Sequence, residues 1–169
     1  INHDAARELA TQLGVPWYPD LDTALTESRP QALAICTPTP THLAAIERAA
    51  RAGVAVFCEK PLSTDLAEVD QALAVIEATG IPFMVGFNRR FDPGHASVLA
   101  AARDGRLGTI CSIRITSRDP APPPIEYIRA SGGIFVDMMI HDLDLAAALA
   151  PAPVISVWAT GSCLLDPAI

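Results

Sequence analysis

Apolar residues recur at helical spacing from Asp4 to Leu13, and Gly14 is placed to end that helix. Leu21 to Ser28 repeats the pattern over a shorter stretch. Ala32-Leu33-Ala34-Ile35-Cys36 is a continuous apolar run, which predicts a strand buried on both faces. Pro38 and Pro40 break it. Thr41 to Ala52 reads as a helix stopped by Gly53, and Val54 to Cys58 as a second buried strand. Thr64 or Asp65 caps a helix running to Thr79 and ended by Gly80, before a third strand over Pro82 to Phe87. Strands alternating with helices at this spacing predict parallel pairing through right-handed crossovers, hence a doubly wound α/β sheet. Ligands of such sheets bind beyond the carboxyl ends of the strands. Three successive strands end there in unusual residues: Thr37, Pro38 and Thr39; Glu59, Lys60 and Pro61; Asn88, Arg89 and Arg90.

The pattern changes after Arg90. Pro93 to Asp104 looks helical, and Gly108 to Arg118 alternates as a half-buried strand of a mainly antiparallel sheet would. A proline-rich loop covers Asp119 to Pro124. One helix carrying Asp137 and His141 runs to about Leu149, and a further strand covers Pro153 to Cys163. The expected organisation is one α/β domain over residues 1–90 and the start of an α+β domain over 91–169.

Half of the 169 residues are hydrophobic but only 5% are aromatic, so alanine and branched aliphatics must fill the core. A net charge of −7 argues against nucleic acid or an anionic membrane surface as partner. No apolar run approaches the roughly 20 residues of a membrane span, and the opening residues carry no signal-peptide pattern. Cys36, Cys58, Cys111 and Cys163 form no C-x-x-C pair, and most lie in apolar runs. Buried reduced thiols in a cytoplasmic protein are expected.

Asp137 and His141 are four apart, which on a continuous helix puts them on one face, with Asp144 a further turn along. A carboxylate–imidazole pair on a helix, together with Lys60 at a strand end, is equipment for taking a proton from a hydroxyl. Asp137 and His141 alone could instead ligate a metal, but no third ligand stands nearby in sequence, so no metal is expected.

Glu59-Lys60-Pro61, Thr37-Pro38-x-x-x-His42 and Gly133-x-x-x-Asp137-x-x-x-His141-x-x-Asp144 together resemble the Gfo/Idh/MocA oxidoreductases. Ser117-Arg118-Asp119-Pro120, Pro122-Pro123-Pro124, Glu126-Tyr127 and Gly132-Gly133-Ile134-Phe135 most resemble their myo-inositol 2-dehydrogenase branch. The resemblance implies a partial Rossmann domain binding NAD, with NADP left open, and part of a second domain for substrate and oligomer contacts. It implies hydride transfer from a polyol or sugar hydroxyl, with 2-keto-inositol as the product from myo-inositol.

Carried over residue by residue, the resemblance makes His141 the general base. Asp137 orients His141 or Lys60, and Lys60 polarises the substrate oxygen. Thr37, Pro38, Thr39 and His42 line the nicotinamide-ribose side, Glu59 bonds a ribose hydroxyl, and Asn88 and Arg89 reach the nicotinamide or the polyol. Asp119, beside Arg118, is a polyol ligand or half of a loop salt bridge. Asp144 is either support for the site or plain helix surface. The resemblance also implies a dimer or tetramer. Family members open with a G-x-G-x-x-G turn that is not in this chain, which therefore reads as a piece with both ends missing. Weak or absent cofactor binding and poor solubility are expected of that piece alone. A relic or sugar-sensing regulator on the same scaffold is the alternative to an enzyme.

Overall fold

A three-stranded parallel sheet in the order β1-β2-β3 organises the first half of the chain. The structure is a computed structural model, and it describes residues 2–163. The chain divides into two units, one ending at Gly86 and the other beginning at Phe87.

In the first unit β1 is Ala32–Ile35, β2 Ala55–Cys58 and β3 Phe83–Val85. Helices α1 (His3–Leu13) and α2 (Leu21–Ser28) precede the sheet, α3 (His42–Arg51) joins β1 to β2, and α4 (Leu66–Thr79) joins β2 to β3. The register aligns Leu33 with Val56 and Phe83, and Ala34 with Phe57 and Met84. Side chains alternate across a strand, so these two rows face opposite sides. The row holding Val56, with Ile35 and Cys58, packs on Ile46, Ala49, Ala50 and Ala72 of α3 and α4. Alanines at the contact bring the helices close, and complete burial of Ile46 contributes on the order of 2 kcal/mol.

The opposite row is open. Ala32 and Ala34 are exposed, Phe57 is half-buried, and Met84 is 43% exposed. The strands are therefore buried on one face rather than the two that the apolar runs predict. An alanine-rich run cannot by itself say whether a second layer covers it.

Local chemistry fixes the helix ends. Asp65 caps α4 by accepting a hydrogen bond from the Ala67 N–H at 2.9 Å. Gly80 ends α4 at φ +65°, a conformation that costs glycine little. Trp17 packs edge-on to His3 at 5.8 Å, with the Arg7 guanidinium 4.2 Å from its ring centre.

The second unit contains α5 (Pro93–Arg103), α6 (Ile125–Ala130), α7 (Gly133–Asp137) and α8 (Ile140–Leu149). Leu99 and Ala101 of α5 and Leu145 of α8 are its buried apolar residues among those described. Three expectations are corrected here. Residues 108–118 and 153–163 form no strand, because among the described residues no neighbouring segment completes a ladder with them. Ile155 and Trp158 are accordingly 98% and 85% exposed. The single helix through Asp137 and His141 is instead two helices. At their junction the Met139 N–H reaches back five residues to the Ile134 carbonyl at 2.8 Å. That wide turn closes α7 before α8 begins. The buried-thiol expectation holds for Cys58 alone; Cys36, Cys111 and Cys163 are exposed, because their runs pack against no second layer. No described helix is long and apolar enough to cross a membrane.

Candidate functional site

The carboxyl edge of the sheet gathers the first group of candidates. The Glu59 N–H donates to the Ile35 carbonyl at 2.9 Å and the Gly86 N–H to the Cys58 carbonyl at 2.8 Å, so the ladder persists to the last residues of each strand. The Glu59 carboxylate then lies over Gly86, where a β-carbon would stand 3.1 Å from its Oε2. Glycine permits that approach. The Lys60 N–H donates to the same carboxylate at 3.3 Å, and both residues are half-buried.

After β1 the chain enters a 3-10 turn over Thr39–Thr41 with Pro40 at its second position. The Thr41 hydroxyl donates to the Pro38 carbonyl at 2.8 Å. Its one hydrogen is thereby used, so in the 2.6 Å contact between the Thr37 and Thr41 hydroxyls it is Thr37 that donates. Thr37 is exposed and its oxygen keeps acceptor capacity.

His42 sits differently from an expected cleft-lining residue. It is 1% exposed, with Nδ1 2.9 Å from the Pro61 carbonyl and Nε2 2.7 Å from the Thr37 carbonyl. Its ring touches the two loops from beneath. Cys58, buried beside Glu59, has its thiol pushed up to about 12, chiefly by desolvation.

The second unit assembles the other candidates. Phe87 meets the His141 ring edge-on at 6.5 Å. Asn88 opens a 3-10 turn, Asn88–Phe91, and is exposed. Arg89 pairs with Asp142 and donates to the Ser117 hydroxyl at 3.1 Å, while that hydroxyl donates to Asp142 at 2.7 Å. Arg90 binds Asp144 in a fork, Nε to Oδ2 at 2.7 Å and Nη2 to Oδ1. Asp144 has a 7% exposed side chain, and its bond holds the Arg90 guanidinium above its ordinary range. Of the two readings open for Asp144, helix surface is set aside: it anchors α8 to the Asn88–Phe91 turn.

Asp137, half-buried at the end of α7, accepts a 2.8 Å hydrogen bond from the Tyr127 hydroxyl. That bond is the main cause of a raised Tyr127 pKa, with burial second. Arg118 and Asp119 are exposed. Among the described residues no salt bridge joins them and no group of three or more His, Cys, Asp or Glu could hold a metal.

Asp142 is a participant the sequence pattern did not single out, and Arg90, Ser117 and Tyr127 were noted there without a role. The doublet Arg89-Arg90 facing Asp142-x-Asp144 was the available signal, two cations and two carboxylates at compatible spacing.

Two family models divide the chain. The oxidoreductase family with an NAD-binding Rossmann fold matches residues 1–87, and the Gfo/Idh/MocA C-terminal domain matches residues 95–168. The chain belongs to the Gfo/Idh/MocA oxidoreductase family. The inositol 2-dehydrogenase of Rhizobium meliloti (strain 1021) is 53% identical over 138 residues, which are 82% of this chain and 42% of that protein. A crystal structure of a probable dehydrogenase from Thermotoga maritima superposes with a TM-score of 0.94 at 42% identity, covering 99% of this chain and 51% of that one. An inositol dehydrogenase homolog from Azotobacter vinelandii, solved with NADH and myo-inositol, gives 0.69 at 26% identity over 89% of this chain and 43% of its own. The chain thus spans about half the length, or less, of these relatives.

Proposed function

We propose that this Gfo/Idh/MocA chain carries part of the catalytic apparatus of an NAD-dependent polyol dehydrogenase, with myo-inositol as the leading substrate. The observation that carries this reading is the carboxyl edge of the sheet. There a hydroxyl, a carboxylate and a lysine are delivered by the ends of adjacent parallel strands, and Gly86 leaves no side chain over Glu59. That donor set suits the ribose beside a nicotinamide: the Glu59 carboxylate accepts from a ribose hydroxyl, and Thr37 presents an acceptor oxygen. When bound, the nicotinamide supplies the acceptor for hydride.

The chain's own residues do the rest. Lys60 stabilises negative charge on the substrate oxygen, and His141 takes the hydroxyl proton. Asp137 orients His141 or Lys60 and accepts a hydrogen bond from the Tyr127 hydroxyl. Pro38 and Thr39 shape the ribose loop. Asn88 faces the nicotinamide or the polyol, and Asp119 completes the polyol contacts. Arg89 serves the site through Asp142 and Ser117. We assign residues 1–90 to the cofactor half and 91–169 to the substrate half, in a cytoplasmic homo-oligomer.

The test uses the longest reading frame that contains this chain. With NAD and myo-inositol it produces reduced nicotinamide, and Lys60→Met or His141→Asn lowers kcat on the order of 10²–10⁴-fold. Turnover within tenfold of wild type in both variants refutes the mechanism. Binding of NAD and inositol without turnover in the wild type would favour the sugar-sensing alternative.

A further inference from the structure

The His42 imidazole is the most enclosed polar side chain among the described residues, and the proposed chemistry makes no direct use of it. It lies at the first position of α3, and its ring reaches two carbonyls nineteen and five residues away in sequence. One belongs to Thr37, in the loop after β1. The other belongs to Pro61, the residue that follows Lys60. Backbone carbonyls only accept, so each contact needs hydrogen on the ring nitrogen that makes it. A neutral ring serves one carbonyl at a time, and a doubly protonated ring serves both.

From these contacts we infer that His42 is a positioning residue that sets the spacing between the Thr37 loop and the Lys60-Pro61 loop. The inference rests on the proposed function only for its catalytic consequence; the clamp itself is a property of the first unit. The physical logic is short. Neither loop carries a strand pairing beyond Glu59 and Gly86, so nothing in the ladder fixes the Thr37 carbonyl relative to the Pro61 carbonyl. A rigid planar ring with two polar atoms on opposite sides spans them in one step. Helix α3 holds that ring in place, since Ile46, one turn on from His42, is fully buried in the core. Core packing is thereby converted into the placement of the Lys60 backbone. An aliphatic residue of similar size would fill the space but offer neither carbonyl a donor, the Pro61 carbonyl lying in the buried contact.

Hydrogen exchange on the 169-residue chain, read by mass spectrometry, tests the clamp without any catalytic assay. His42→Asn and His42→Gln are compared with Ile46→Val, which lowers stability from the same helix without touching either carbonyl. In the His42 variants, peptides covering residues 36–41 and 59–63 exchange at least tenfold faster, while those from α4 keep their protection. In Ile46→Val both loops and α4 shift together. Uniform change, or none, in both His42 variants overturns the inference. In the longest reading frame, His42→Gln raises KM for NAD roughly tenfold, more than it lowers kcat, as expected when a hydrogen bond that shapes a binding loop is lost. Loop-selective exchange with an inactive wild type would sink the proposed function and leave the clamp standing. An active wild type with a His42→Gln variant of normal KM and normal loop protection would sink the clamp alone.

Discussion

Breaking the Arg90–Asp144 fork from its two ends has unequal consequences, and the inequality can be measured. The Asp144 side chain is 7% exposed and the Arg90 side chain 43% exposed. Arg90→Met strands a carboxylate that water barely reaches. Asp144→Asn strands a guanidinium that can turn outward and solvate. Breaking a fully buried pair costs about 3–5 kcal/mol, and exposed pairs contribute about 0–1. With one end two-fifths exposed, the scale must be discounted. Arg90→Met should then cost about 2 kcal/mol and Asp144→Asn about 1. For a unit of this size, about 1 kcal/mol moves the melting temperature by roughly 4–8 °C. The assay is calorimetric melting of wild type, both single variants and the double, with the coupling taken from the cycle. The double variant should lose less than the sum of the singles by about 1 kcal/mol. Additive effects, or a larger loss from Asp144→Asn than from Arg90→Met, would refute this account of how α8 is anchored.

Three further outcomes follow from other parts of the molecule. Gly86→Ala brings a β-carbon to 3.1 Å from the Glu59 carboxylate, which is the mobile end of a side chain and can yield; stability should change by less than about 1 kcal/mol while KM for NAD rises severalfold in kinetic assay. Burial holds the Cys58 thiol protonated up to about 12, so iodoacetamide at mildly alkaline pH should label Cys36 and Cys111 while Cys58 stays unlabelled until the chain unfolds, as peptide mass mapping would report. Asp20 and Asp92 cap α2 and α5, and hydrogen bonds from the Thr23 and His95 N–H groups hold both carboxyls below the ordinary 3.8. The unfolded chain thus takes up their protons first, and the stability they contribute is present above that ordinary value and fades as pH falls through the folded ones. Carboxyl NMR titration should place both midpoints under 3.8, and midpoints at or above it would contradict the caps.

The first unit was largely legible in its sequence because local signals there agree with one another. Asp65 before Leu66 and Gly80 after Thr79 bracket α4, and the apolar runs mark all three strands within a residue or two. What escaped depends on neighbours that periodicity cannot name. The alternation in residues 108–118 is real, but a strand exists only when another backbone accepts its bonds. Helix α6 was hidden by the prolines before it, although Pro124 stands at its N-cap and opens it. The break between Asp137 and His141 is one long-reach hydrogen bond inside an unbroken apolar stretch, which leaves no trace in the pattern. The resemblance set His42 among the residues lining the cleft. Its burial follows from α3 lying under both loops, a tertiary fact.

The two tryptophans of the chain are divided one to each unit, and they stand in opposite surroundings. Trp17 is sheltered by the His3 ring and the Arg7 guanidinium, so its emission should change when the first unit opens. Trp158 is 85% exposed in the native state and has little hydration left to gain. Intrinsic fluorescence is therefore a one-sided gauge: it follows the packing around α1 and is nearly blind to the loosening of α5 and α8. A melt recorded by that signal alone would score the unit bearing His141 as intact after it had come apart.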